Sequence, residues 1–216
     1  MKVIPISFRW LGGIAPDGLQ MLKNITEAGR ICYQSEKIGG EAEFVRSLIQ
    51  RGHESVIEHE KISVVLTCDR GVTHEIVRHR IASYSQESTR YCDYNGEKFD
   101  GQISVVNIVG GILRDKRMEY LTPEDQTAII SEWLNACIDA ETHYRRLTAL
   151  GASPQIARSV LPNSLKAEIT ITMNLREWRH FFKLRTAPAA HPQMREVAEM
   201  LLEAFKDVVP VVFDDL

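Results

Sequence analysis

Two segments of this chain alternate apolar and polar residues with a period of two, and they constrain its fold more than any other feature. In residues 61–68, Ile62, Val64, Leu66 and Cys68 fall on one face. In residues 166–174, Ala167, Ile169, Ile171 and Met173 share one face, while Glu168, Thr170 and Thr172 take the other. Strands patterned this way lie in a sheet with a covered face and a more polar one. The covering elements read as helices. Helical spacing places Leu19, Leu22, Ile25 and Ala28 together over 18–33, and a second helix over 41–51 stops at Gly52. A third spans Val72 to Ala82, followed by a polar loop from Ser83 to Arg90. Thr122-Pro123-Glu124-Asp125 has the cap, first-turn proline and acids of a helix start, and that helix runs to Leu150 before Gly151. Ser153-Pro154 restarts a short helix carrying Arg158, and further helices cover Leu175–Thr186 and Pro192–Val208. With no repeat, linker or low-complexity tract, the 216 residues read as one α+β domain over 1–216.

The formal charge of −3 argues against a protein built to coat nucleic acid, so an anion site must come from local Arg and His clusters. Apolar residues make up 44% of the chain, an ordinary globular share, but no apolar run approaches the roughly 18 residues of a membrane helix. The start, Met1 to Ile6, has no signal-peptide pattern, so the expectation is a soluble, cytoplasmic protein with no membrane partner. Cys32, Cys68, Cys92 and Cys137 are too widely spaced for a zinc ribbon or dithiol motif and read as free thiols.

The densest chemical signal is Arg78-His79-Arg80-Ile81-Ala82-Ser83-Tyr84-Ser85-Gln86-Glu87-Ser88-Thr89-Arg90. Guanidinium forks, hydroxyls and loop N–H groups are what phosphate binding needs. A solvated basic helix end is the plainer alternative. Apolar Ile76 and Val77 just upstream argue that this helix is partly buried. On a helix, consecutive side chains point about 100° apart, so Arg78 and Arg80 would leave opposite sides. A site using all three would surround the helix end or lie between subunits, which predicts an oligomer with shared active sites. Farther on, Trp178, Phe181 and Phe182 form an apolar stripe, and Arg185 is the next position on it. A guanidinium there is either partly desolvated and functional or snorkels past the rings. His53, Glu58, His59, His74 and His79 raise a zinc alternative, but H-E-x-x-H is absent and no metal is predicted.

The pattern R-H-R-x-x-S-x-x-x-x-S-x-R at Arg78–Arg90 resembles the signature of the flavin-dependent thymidylate synthases, with every fixed position met. His53-Glu54-Ser55-Val56-Ile57-Glu58-His59, Ala157-Arg158-Ser159-Val160-Leu161-Pro162, Asn174-Leu175-Arg176 and Leu184-Arg185 resemble further family segments in the family order. The resemblance implies a central, mostly antiparallel sheet flanked by helices, a homotetramer, and an FAD site that is not of the Rossmann type. It implies that Ser55, Arg78, His79, Arg80 and Gln86 face FAD, joined from another subunit by Asn174, Arg176 and His180. His180 stands where the family often has Asn. It further implies a dUMP site of Glu75, Arg78, Gln86, Glu87, Ser88, Thr89 and Arg90, with Arg158 at the phosphate and Arg185 at the uracil ring. Glu75 replaces a more usual Gln.

The implied reaction is reductive methylation of dUMP to dTMP, with NADPH reducing FAD and methylenetetrahydrofolate giving the carbon unit. No Pro-Cys-Gln nucleophile site is present, since Cys92 lies between Tyr91 and Asp93. Arg185 is therefore the expected catalytic group, stabilising negative charge on the uracil so that C5 becomes electron-rich. The rivals are a non-enzymatic nucleotide or RNA binder that stacks bases on Tyr84 and Tyr91, and a metal-dependent hydrolase built on the histidines.

Overall fold

The computed structural model of the chain describes residues 1–34 and 39–216. The two alternating segments become its central strands. Along the chain come β1 (Lys2–Ile4), β2 (Ser7–Trp10), α1 (Gly18–Tyr33), α2 (Glu41–Gln50), β3 (Lys61–Asp69), α3 (Arg70–Ile76) and β4 (Ser83–Gln86). They are followed by β5 (Ser104–Val106), α4 (Val109–Arg114), α5 (Pro123–Ala149), α6 (Pro154–Ala157), β6 (Lys166–Asn174), α7 (Leu175–Arg185), α8 (Pro192–Val208) and α9 (Pro210–Phe213).

The main sheet has the order β2-β3-β6-β4, and every pairing is antiparallel. Its spine is β3 against β6, in register from Lys61↔Asn174 to Asp69↔Lys166. That register sets Ile62 opposite Met173, Val64 opposite Ile171 and Leu66 opposite Ile169, so the two apolar rows form one continuous face. Ser63 and Thr172 meet on the other face, their hydroxyls 2.8 Å apart. A separate parallel pair, β1 with β5, lies apart from this sheet.

Helix α7 covers the apolar face with Trp178, Phe181 and Phe182, all fully buried, and each contributes about 1.5–3 kcal/mol by leaving water. Phe205 of α8 and Phe213 of α9 complete the aromatic cluster. The Trp178 indole N–H donates to the Ile62 carbonyl at 3.0 Å and so ties α7 to β3.

Helix α5 starts as its sequence predicts, with Thr122 and Asp125 forming a reciprocal capping box. Gly52 and Gly151 take positive φ just past α2 and α5, where the sequence places helix stops. Two expectations need correction. The helix predicted over Val72–Ala82 begins earlier and ends at Ile76. The first part of the predicted loop over Ser83–Arg90 is β4, an edge strand recruited by β6. Ser83-Tyr84-Ser85-Gln86 has too weak an alternation to announce a strand, and tertiary pairing overrides local preference there.

Candidate active site

The site begins where α3 stops. The Asp69 carboxylate caps α3 by accepting from the Val72 N–H at 2.7 Å. After the C-cap residue Val77, the chain leaves helical geometry. Tyr84 on β4 fixes this exit: its hydroxyl lies 2.9 Å from the Ile76 carbonyl oxygen and 2.6 Å from that of His79. Burial and the nearby Glu177 carboxylate push the Tyr84 phenol up to about 12, so it keeps the proton it donates. Arg78, His79 and Arg80 thus lie in a turn, and the helical argument for their divergence does not apply. Their exposures differ. His79 is buried, whereas Arg78 and Arg80 are exposed and, among the described residues, have no side-chain partner.

Helix α7 supplies the opposite wall. The Asn174 side chain caps it, accepting from the Glu177 N–H at 2.8 Å. Arg185 sits at the end of the apolar stripe with its side chain only 16% exposed, so solvent screens its charge little. The sequence left open a snorkelling arginine, but the guanidinium is held at three points. Nη1 donates to Glu75 Oε2 at 2.7 Å, Nη2 to the Glu75 carbonyl at 3.0 Å, and Nε to His79 Nε2 at 3.0 Å. A guanidinium has five N–H groups, so one on each terminal nitrogen is left over.

Because His79 Nε2 accepts, the imidazole carries its proton on Nδ1, which lies 3.4 Å from Glu177 Oε1. Burial, together with the charges of Arg185 and His180, lowers the His79 pKa to about 4 and keeps the ring neutral. Burial also pushes the Glu177 carboxyl up.

His79, Glu177 and His180 place ligand atoms within 4.8 Å of one another. This trio shares only His79 with the histidine-rich set singled out in the sequence. A cation at His79 Nδ1 would force the ring proton onto Nε2, where it would oppose the Arg185 Nε–H. The arrangement is therefore poorly matched to a metal.

Arg78, His79, Arg80, Glu177, His180 and Arg185 line a hollow of about 340 Å³. Ile81, Glu177 and His180 also border a larger cavity of about 550 Å³, which Asn174, Arg176, Arg179 and Lys183 help to line. His180, which the resemblance brings to the flavin from another subunit, shares the hollow with Arg78–Arg80 of its own chain. Arg176 is paired with Glu58 at 2.5 Å and with Glu54 at 3.7 Å. Ser55 is exposed on the turn Glu54–His59 and lines neither hollow.

Three contributors were missed in the sequence: Glu177, Tyr84 and Arg179. Glu177 and His180 are three apart on α7 and therefore neighbours on one helical face, a signal that was available. Tyr84, considered only as a stacking group, is a backbone clamp. Arg179 is 2% exposed and forms a bidentate pair with Asp215 at 2.6 and 2.7 Å, besides meeting Glu54 at 3.2 Å. The C-terminal tail, to which the sequence assigned no role, thus holds the guanidinium of Arg179, a residue that lines the larger cavity. No local pattern announces that long-range pair.

The remaining sequence-predicted residues gather elsewhere. Gln86 Nε2 donates to Thr73 Oγ1 at 3.1 Å, which ties β4 to α3. Beyond it, Glu87 accepts from Lys166 Nζ at 2.8 Å, and the Ser88 hydroxyl accepts from the Arg90 N–H at 3.3 Å. Arg90 Nε donates to Gln155 at 2.7 Å, and Arg158 Nη1 to buried Thr89 at 3.1 Å. Among the described residues, no hydrogen bond or ion pair joins this cluster to the Arg185 hollow.

The family model for the thymidylate synthase complementing protein matches residues 19–211. The chain belongs to the flavin-dependent thymidylate synthase family. Flavin-dependent thymidylate synthases of Geobacter sulfurreducens and Mycobacterium avium are each 34% identical to it over 198 residues, covering 87% of this chain and 78% and 76% of theirs. Among solved structures, the UMP/dUMP methylase PolB from Streptomyces cacaoi bound with 5-Br dUMP superposes with a TM-score of 0.81 at 26% identity. That match covers 99% of this chain and 96% of PolB. Membership makes the chain an enzyme of thymidylate synthesis and leaves the RNA-binding and hydrolase alternatives without support. Among the described residues, no helix is long and apolar enough to cross a membrane.

Proposed function

We propose that the Arg185 hollow is the pyrimidine end of a site that methylates dUMP to dTMP, with methylenetetrahydrofolate as carbon donor and NADPH as reductant. Dependence on a flavin follows from family membership; FAD as its form, and the two co-substrates, belong to this proposal. PolB, which resembles this chain over nearly its whole length, binds a brominated dUMP, and that supports the nucleotide assignment.

The donor set fits a flavin dinucleotide. Arg78 and Arg80 present exposed guanidinium groups that, among the described residues, no carboxylate neutralises, which suits a pyrophosphate. Asn174, Arg176 and His180 border the adjoining cavity, large enough for a planar ring system. When bound, the flavin supplies the hydride that completes the methyl group. At dUMP, Arg185 would turn an unused N–H group toward a carbonyl oxygen of uracil, stabilising negative charge there and making C5 more nucleophilic. Ser88, Thr89, Arg90 and Arg158 would hold the phosphate, with Gln86 and Glu87 shaping the loop.

The observation that carries this reading is the three-point clamp on Arg185 beside the exposed Arg78 and Arg80. Its test is the visible absorption of the purified protein. Blue-region flavin bands that shift on adding dUMP are expected. A protein that stays colourless after incubation with FAD would overturn the assignment. Arg185→Ala should then keep the flavin spectrum but lose about a hundredfold or more in turnover at saturating dUMP. Near-normal turnover would remove Arg185 from catalysis.

A further inference from the structure

We propose that His79 is a positioning residue for the substrate arginine: its Nε2 lone pair holds the Nε end of Arg185 and so sets the direction in which the guanidinium meets the nucleotide. The proposal rests on the reading of Arg185 as the uracil-facing group, but assigns His79 a separate task from lining the cofactor wall.

The guanidinium is planar, so its orientation is fixed once two different edges are held. Glu75 holds one edge, through its side chain at 2.7 Å and its backbone carbonyl at 3.0 Å. Those contacts alone leave the group free to swing about the Glu75 side, because Glu75 is 42% exposed in its side chain and sits on the short helix α3. The Nε contact to His79 at 3.0 Å is the second edge. His79 is itself held in place: its ring packs 5.0 Å from that of Phe181, and Tyr84 anchors its carbonyl oxygen.

The contact works in one protonation state only. Nε2 must be unprotonated, with the proton on Nδ1 facing Glu177 at 3.4 Å. The charged groups that face the ring are Glu177, His180 and Arg185, all from α7, with Glu75 behind Arg185. A proton on Nε2 would set two donors against each other and release the guanidinium edge.

Two measurements on the full-length protein test this. Nitrogen-15 NMR of the histidine side chains in the flavin-free protein at neutral pH should show His79 with Nδ1 protonated and Nε2 unprotonated. The opposite tautomer, or an imidazolium, would overturn the proposal without any variant. Calorimetric dUMP binding to the same protein should then be compared for His79→Gln, His79→Asn, Arg185→Ala and the double variant His79→Asn/Arg185→Ala. A glutamine can place its side-chain oxygen where Nε2 lies, whereas an asparagine reaches only the Nδ1 position. His79→Asn should therefore weaken dUMP binding about ten- to a hundredfold, as loss of a hydrogen bond to a charged group does, and His79→Gln should restore most of it. In the double variant the two losses should not add, because the bond is already gone. Additive losses, or full affinity in His79→Asn, would overturn the positioning role. If Arg185→Ala itself leaves dUMP affinity unchanged, it is the assignment of Arg185 to the nucleotide that fails.

Discussion

At the scale of single residues, the protonation of His79 has a consequence for stability whose sign can be worked out. Its folded-state pKa is about 4, below the ordinary histidine value of about 6.5, chiefly because the ring is buried. The unfolded chain therefore takes up this proton first as pH falls. Stability at this position is full above pH ~6.5, declines as pH drops toward ~4, and levels off below that, a loss of up to about 3 kcal/mol. Asp69, Glu177 and Glu196 are carboxyls pushed up by burial, and their effect runs in the opposite direction with pH. Subtracting the unfolding free energy of His79→Gln from that of the wild type between pH 7 and 4 isolates the histidine. The difference should fall with acid, and a flat difference would show that His79 titrates normally. The residues that gather at the proposed site were largely legible in the sequence, because Arg78, His79, Arg80 and Arg185 are chemically distinctive. Their partnerships were not. Glu75 to Arg185 and Arg179 to Asp215 join residues from different elements, and only the folded chain brings them together.

At the scale of elements, legibility followed pattern strength. The spine β3–β6 was readable because each strand keeps a strict apolar row over its whole length. The helices α1, α2, α5, α7 and α8 were readable from their spacing and stops. The short strands β1, β2, β4 and β5 were not, since three or four residues carry too little alternation to stand out. Strand β4 matters most among them: by pairing with β6 it carries Tyr84 onto the exit of α3 and shortens the helix the sequence led one to expect. The helix ends also carry a packing constraint. Gly18 opens α1 against the end of α8, where a Cβ would lie 1.7 Å from the Val208 carbonyl oxygen. Backbone cannot retreat as a side-chain tip can, so Gly18→Ala should cost about 1–3 kcal/mol through forced displacement of α1 from α8. Chemical denaturation followed by circular dichroism would show a lower midpoint. An unchanged midpoint would mean that this junction yields without cost.

At the scale of the whole molecule, one chain holds two clusters of candidate site residues that no hydrogen bond or ion pair joins among the described residues. One surrounds Arg185, with Glu75, His79 and His180. The other joins Thr89 to Arg158 and Arg90 to Gln155. A nucleotide needs its base and its phosphate held together, and in the homotetramer that the resemblance implies they would be held by different copies. Helix α5 points the same way. Its 27 residues span about 40 Å, yet only Cys137 and Tyr144 are buried, and Ile138 is 47% exposed. In the homotetramer that the resemblance implies, a helix this poorly covered would face another copy. Sharing of the site has a sharper test than the mass of the assembly. Arg158→Ala and Arg185→Ala should each be nearly inactive alone. After the two variants are co-expressed, or unfolded and refolded together, a site composed from two copies regains both arginines whenever each copy supplies the one it kept. Random mixing at equal amounts should then restore about a quarter of wild-type activity. Sites confined to one chain would restore none, because no single chain would carry both arginines, and the two clusters would have to close on one nucleotide by a movement within the chain.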